Sequence, residues 1–258
     1  MKSILQKCQI EDLEYISEIL DNYAAFTDDS RRKELLIKAK KNLNDRGELI
    51  ELVDKQIRYF GSADLAYLVR SLYSHDGGVS SSELVADVCA KLKIKIKLVG
   101  TLESRLEKLA VQVVEKELFI KTPEQLSEAF KDMGVGAIDS EKITEHLKRN
   151  GKVAVIPVLF RILGPELALG IIEGIVVSII AKVIGTEAAK ALIKAFIEKN
   201  PWVNALGPWM WGLSAAWLAF DVQGPAYRKT VPICLYLGVV GLRDGPETPI
   251  TDLAETAD

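Results

Sequence analysis

The chain's most reactive-looking grouping is His75-Asp76-Gly77-Gly78, an imidazole beside a carboxylate on a flexible turn, which could exchange protons with a substrate. The plainer reading, a loop between helices, is preferred. Gly77-Gly78 follows no strand and lacks the longer glycine spacing of phosphate-binding loops, so nucleotide binding is not expected. Cys89 lies in the helical pattern Val85-Ala86-Asp87-Val88-Cys89-Ala90, where a thiol acts as a small core side chain. His146 belongs to a charged helix, Glu141 to Arg149, and should be solvated. The carboxylate pairs Asp28-Asp29 and Glu11-Asp12 mark turns and helix starts rather than acid-base dyads. Three scattered cysteines, Cys8, Cys89 and Cys234, and two histidines cannot assemble the usual finger or ribbon zinc sites. No catalytic residue, metal site or cofactor site is expected.

The elements around these residues are helical. Of 258 residues, 48% are hydrophobic and 27% charged, enough to bury a full core. Lys and Arg number 33 against 36 Asp and Glu, so no global positive field gathers nucleic acid, which is excluded as a partner. The opening Met1-Lys2-Ser3-Ile4-Leu5-Gln6-Lys7-Cys8 turns acidic before an apolar run develops. No secretory signal peptide is expected there, and the expected location is the cytoplasm.

Composition changes near residue 150. Residues 1–150 carry 50 charged side chains and residues 151–258 carry 19, while the second stretch holds 11 of 18 glycines, 8 of 9 prolines and all four tryptophans. The sequence divides into a charged helical interaction domain, 1–150, and an apolar Gly/Pro/Trp-rich helical domain, 151–258. In the first, Leu13, Ile16, Ile19, Leu20 and Tyr23 recur at helical steps within 12–26. Similar patterns predict helices over 31–44, 47–59, 62–73, 102–118, 123–133 and 140–149. Thr122 before Pro123, and Ser80 to Ser82 before Glu83, are helix-start signals. Lys91 to Leu98 alternates with the period of a strand, and it is read as a helix end followed by an extended connector.

In the second part, 153–163 is apolar except for Arg161, and 165–185 except for Glu166, Glu173 and Lys182. At about 100° per residue, Glu173 falls roughly 20° from Glu166 but Lys182 roughly 160° away, so no polar stripe forms. Such a helix is buried in protein or in lipid. Glu187, Lys190, Lys194 and Glu198 instead share one face, and that helix should meet water. Trp202 to Phe220 then runs 19 residues without a charge, about the length that spans a bilayer, although Asn204, Gly207 and Pro208 interrupt it. In a soluble reading the apolar and Trp-rich helices form the centre of a bundle. In a membrane reading they form a hairpin that enters or lies on a bilayer.

Three blocks carry a family resemblance. They are Leu5-Gln6-Lys7-Cys8-Gln9-Ile10-Glu11-Asp12-Leu13; then Tyr59-Phe60-Gly61-Ser62-Ala63-Asp64 with Asp87-Val88-Cys89-Ala90-Lys91-Leu92-Lys93; and Gly224-Pro225-Ala226-Tyr227-Arg228-Lys229-Thr230-Val231-Pro232. In this order they resemble the YaaW-like bacterial proteins, a family with no activity to transfer. Its distant grouping with ubiquinol-cytochrome c chaperones implies a helper of membrane proteins.

The expected fold is therefore all-α, a multi-helix bundle. The expected role is non-enzymatic contact with a membrane or a hydrophobic protein client, chaperone-like or pore-forming, at the inner membrane when lipid is the partner. Candidate contacts are Trp202, Trp209, Trp211, Trp217, Ile172, Ile175 and Ile179, with Tyr227 and Arg228 as a polar anchor. An enzyme with a pocket between the two parts, using His75, Asp76 or Arg228, and a structural homo-oligomer are the alternatives.

Overall fold

A computed structural model describes residues 1–21, 29–61, 78–97, 99–132, 135–150, 155–185, 189–199, 225–243 and 245. The fold is all-α. The helices are α1 (Lys2–Lys7), α2 (Ile10–Asp21), α3 (Asp29–Lys41), α4 (Arg46–Phe60), α5 (Ser81–Leu92) and α6 (Leu102–Phe119). They continue as α7 (Pro123–Asp132), α8 (Ala137–Asn150), α9 (Val155–Ile184), α10 (Lys190–Lys199) and α11 (Pro225–Arg243).

Local chemistry sets several boundaries. The Ser80 hydroxyl accepts from the Glu83 amide, and the Glu83 carboxylate accepts from the Ser80 amide, a reciprocal pair that satisfies two end donors of α5. Thr122 and Gln125 make the same exchange at the start of α7. After α5, Lys93 turns left-handed at φ 52°, and the chain runs extended with Ile94 and Ile96 buried and Lys93, Lys95 and Lys97 outside. The alternating lysines therefore belong to an extended connector, as read from the sequence, although their spacing is that of a strand; beyond an isolated bridge at Ile96, the described residues form no strand.

The helix predicted at 12–26 begins at Ile10, because Asp12 is spent on its first turn: the Asp12 Oδ2 accepts from the Gln9 amide at 2.7 Å. The helix predicted at 62–73 lies outside the described residues. The two apolar stretches expected at 153–163 and 165–185 meet within α9, where Gly164 adopts φ 78°, ψ 168°. Only glycine takes that conformation without steric cost, and Pro165 then opens the second segment at a position where its missing N–H is harmless.

Layering explains the burial pattern. α11 packs on α1, α2, α4, α5, α6 and α9, and every side chain from Lys229 to Leu242 is buried. It is the most enclosed helix described, a place that the sequence reading reserved for α9 and the Trp-rich stretch. The crossing with α6 is close because Gly238 has no side chain: a Cβ there would lie 2.3 Å from the Leu106 carbonyl oxygen and 2.8 Å from the Ala110 Cβ. Helices from both sides of residue 150 contribute to one apolar core, which includes Leu13, Val53, Leu109, Val176 and Leu235.

Candidate functional site

Four polar side chains meet where α2, α9 and α11 converge. Asp12, already capping α2 with Oδ2, accepts through Oδ1 from the Tyr236 hydroxyl at 2.5 Å and from Arg243 Nη1 at 2.7 Å. Arg243 Nη2 donates to Glu173 Oε1 at 2.6 Å. Asp12 and Glu173 are both buried, so each needs a partner: a carboxylate removed from water without a counter-charge costs several kcal/mol, roughly, in real proteins. One guanidinium serves both, its donors spread in a fixed fork. Burial pushes Tyr236 well above its ordinary range, and the Asp12 charge adds to that. Tyr236 is thus held as a neutral donor. Its ring meets Tyr15 edge-on, with centroids 4.7 Å apart.

This quartet forms part of the lining of a cleft of about 500 Å³. α2 contributes Glu11, Glu14, Tyr15 and Glu18, spaced so that they share one side of the helix, and α10 contributes Leu192, Lys194, Phe196 and Glu198. The cleft is acidic. Burial raises the Glu18 carboxyl, and the Glu14 and Asp21 charges raise it further against the pull of Lys40.

A second tie holds the start of α9. Glu115 of α6 is buried, and its Oε1 accepts from the Ile156 amide at 3.4 Å, while Gln112 donates to its Oε2 at 3.2 Å. A carboxylate at a helix N-terminus meets unsatisfied N–H groups and the positive end of the dipole. Desolvation nonetheless wins over those hydrogen bonds and pushes the carboxyl up to about 7.

Two buried cations close the far end of α2. Arg32 is fully buried and bonds the Ser17 hydroxyl at 2.8 Å, the Ser17 carbonyl at 3.4 Å, Asp29 at 2.8 Å, and also Asp21 and Gln56. Lys229 donates to the Leu20 carbonyl and lies 3.9 Å from the Phe60 ring centroid. Lys229 thus meets a carbonyl of the last turn, and both cations complement the helix's negative end. Desolvation lowers the Lys229 ammonium to about 8, with Arg32 acting in the same direction and Asp29 opposing.

The residues singled out from sequence are dispersed. Ile172, Ile175 and Ile179 are enclosed in the core. Trp202, Trp209, Trp211 and Trp217 lie outside the described residues, as do His75 and Asp76. Tyr227 is half-buried with Lys91 Nζ 4.8 Å above its ring, and Arg228 is exposed; neither is among the described cleft-lining residues. His146 is half-buried on α8 rather than fully solvated. Cys89 is a core residue, as read from its helical pattern, and burial pushes its thiol up to about 12. Burial likewise raises Cys8 and Cys234. Sequence reasoning missed Asp12, Tyr236, Arg243, Arg32, Lys229 and Glu115. The signal available for Glu173 was an acid near the middle of an apolar helix, which demands a partner but does not name it.

Fold and site define an all-α protein whose polar interior ties its most apolar described helices together. Its sequence is similar to two curated proteins from Helicobacter pylori, both named UPF0174 protein. That of strain J99 is 24% identical over 250 residues, 90% of this chain and 91% of the relative. That of strain 26695 is 22% identical over 191 residues, 74% and 87% of the respective lengths. The name states no activity, and it supports kinship with uncharacterised bacterial proteins without supporting the YaaW name. No family model and no solved structure matches the chain.

Proposed function

We propose that this chain is a non-enzymatic helical protein that contacts a membrane or a hydrophobic protein client, with α9 as the contacting element held in reserve. One observation carries the reading. α9 joins two helical segments at Gly164, and its most apolar 18-residue window has a mean hydropathy of 2.3, enough by length and composition to cross a membrane, yet 78% of that window is buried in the fold. Inserted in lipid, Glu173 would cost about 2.5–3.5 kcal/mol on insertion scales. In the folded chain Arg243 pairs with Glu173, and insertion of α9 has to break that pair, which opposes constitutive insertion.

The mechanism is exchange of one apolar environment for another: core and lipid alike keep the surface from water, at about 25 cal/mol per Å², and no bond chemistry is involved. Ile172, Ile175 and Ile179 become contacts only when α9 leaves its neighbours. Trp202, Trp209, Trp211 and Trp217 join them on sequence grounds, as headgroup-level anchors. The YaaW-like blocks favour a chaperone-like variant, and a pore-forming variant shares the same first step. In either, the protein works at the cytoplasmic side of the inner membrane.

Flotation with anionic liposomes tests this. Recovery with the vesicles supports membrane contact, and dye leakage from those vesicles then separates a pore former from a passive binder. Recovery only in the soluble fraction, across lipid compositions and pH, contradicts membrane contact.

A further inference from the structure

The connector between α5 and α6 turns its lysines to one side. Lys93, Lys95 and Lys97 are exposed while Ile94 and Ile96 are buried between them. The period of an extended chain therefore sets three ammonium groups in a row, with their Cα atoms about 6–7 Å apart. From Val88 to Leu102 the sequence holds four lysines and no carboxylate. Glu103, the next acid along the chain, is buried and held by Lys7. The row is thus a strongly basic strip on a chain whose formal net charge is -3.

Two further observations extend it in opposite directions. At its head, Lys91 Nζ lies 4.8 Å from the centroid of the Tyr227 ring, which brings the first turn of α11, with exposed Arg228, beside the row. At its foot, Val99 is 67% exposed, more than any other large hydrophobic side chain among the described residues. Cations that end on an exposed aliphatic group suit a surface that is anionic at its face and apolar just beneath, where lysine stems lie along apolar chains and ammonium groups stay among phosphates. A single-stranded nucleic acid would instead call for aromatic rings among the cations, and Lys93 to Val99 contains none.

We propose that Arg228, Lys91, Lys93, Lys95, Lys97 and Val99 form a docking strip for anionic phospholipid. The choice of lipid rests on the membrane reading above, but the strip works with α9 still in the core, so the two can fail separately. Each ammonium group near such a surface strengthens partitioning about fivefold, and salt screens the effect.

Sedimentation of the full chain with vesicles of phosphatidylcholine, with and without phosphatidylserine, at low and high salt is the experiment. Tighter binding to the phosphatidylserine vesicles, weakened by salt, is expected. Lys93→Gln, Lys95→Gln and Lys97→Gln together should lower that partitioning on the order of 100-fold, at about fivefold per lysine, and Val99→Ser should lower it severalfold. Lys38→Gln, Lys142→Gln and Lys148→Gln together remove the same charge from exposed lysines of α3 and α8 and should leave binding unchanged. Equal binding of the parent and the row variant to phosphatidylserine vesicles overturns the strip while leaving contact through α9 intact. Equal losses in the two triple variants assign the effect to net charge and overturn it as well. A parent that binds no vesicle overturns the strip and membrane contact together, and tighter binding of a single-stranded oligonucleotide than of the vesicles gives the row to nucleic acid; circular dichroism of each variant verifies that it is folded.

Discussion

Arg243, the last residue of α11, donates to Glu173 in the second segment of α9 at 2.6 Å, joining the two helices across 70 residues of sequence. The same guanidinium reaches Asp12 near the start of α2, so three helices meet on one cation.

Replacing that cation should therefore cost more than an ordinary surface pair. Arg243→Met removes the guanidinium that buried Asp12 and Glu173 share, and a loss of about 3–5 kcal/mol in urea denaturation is expected. Adding Glu173→Gln should recover part of it. A loss below about 1 kcal/mol, the range of exposed pairs, would show that solvent reaches the site.

Glu115 predicts a pH signature of definite sign. Its carboxyl stands at about 7 against an ordinary 4.5, so the fold prefers it protonated. The stability it contributes is fully present below about 4.5 and is lost as pH rises through about 7. Glu115→Gln, neutral throughout, should gain on the parent protein as pH is raised from 5 to 8, by on the order of 1–3 kcal/mol, and then level off. Thermal denaturation of both at several pH values measures this. A difference that shrinks with rising pH would instead make the charged carboxylate a net stabilising cap for α9.

Gly238→Ala tests the close crossing of α6 and α11. The added methyl meets a backbone carbonyl, which cannot rotate away, so the helices must separate. A cost of roughly 1–3 kcal/mol is expected, read as a lower urea midpoint. An unchanged midpoint would contradict the packing described.

Much of the helical framework was legible before any coordinates. Capping residues such as Ser80 and Thr122, the Gly164-Pro165 break and the polar face of α10 rest on local rules, and local rules survive folding. The central place of α11 was less visible. Its apolar stretch, Val231 to Val240, carries no mark of which sides it buries, and only the packing of six helices around it explains why all sides are apolar. The polar interior was hidden for a related reason. Asp12 reads as a helix-start acid, which it is, but its second oxygen bonds residues more than 220 positions away, and no spacing rule connects them. Arg32 resembles the other basic residues of its charged helix, and Lys229 stands beside Arg228 as an ordinary basic pair, until α2 ends against them.

The central claim is that α9 can exchange the protein core for lipid. A polarity-sensitive fluorophore at Leu169→Cys reports on it, with Cys8, Cys89 and Cys234 protected from labelling by burial. With anionic vesicles carrying acyl-chain spin labels, blue-shifted emission that the spin labels quench is predicted, and Arg243→Met should enhance it. Unquenched, unshifted emission in both the parent and the Arg243→Met protein, under all lipid and pH conditions, would contradict the account.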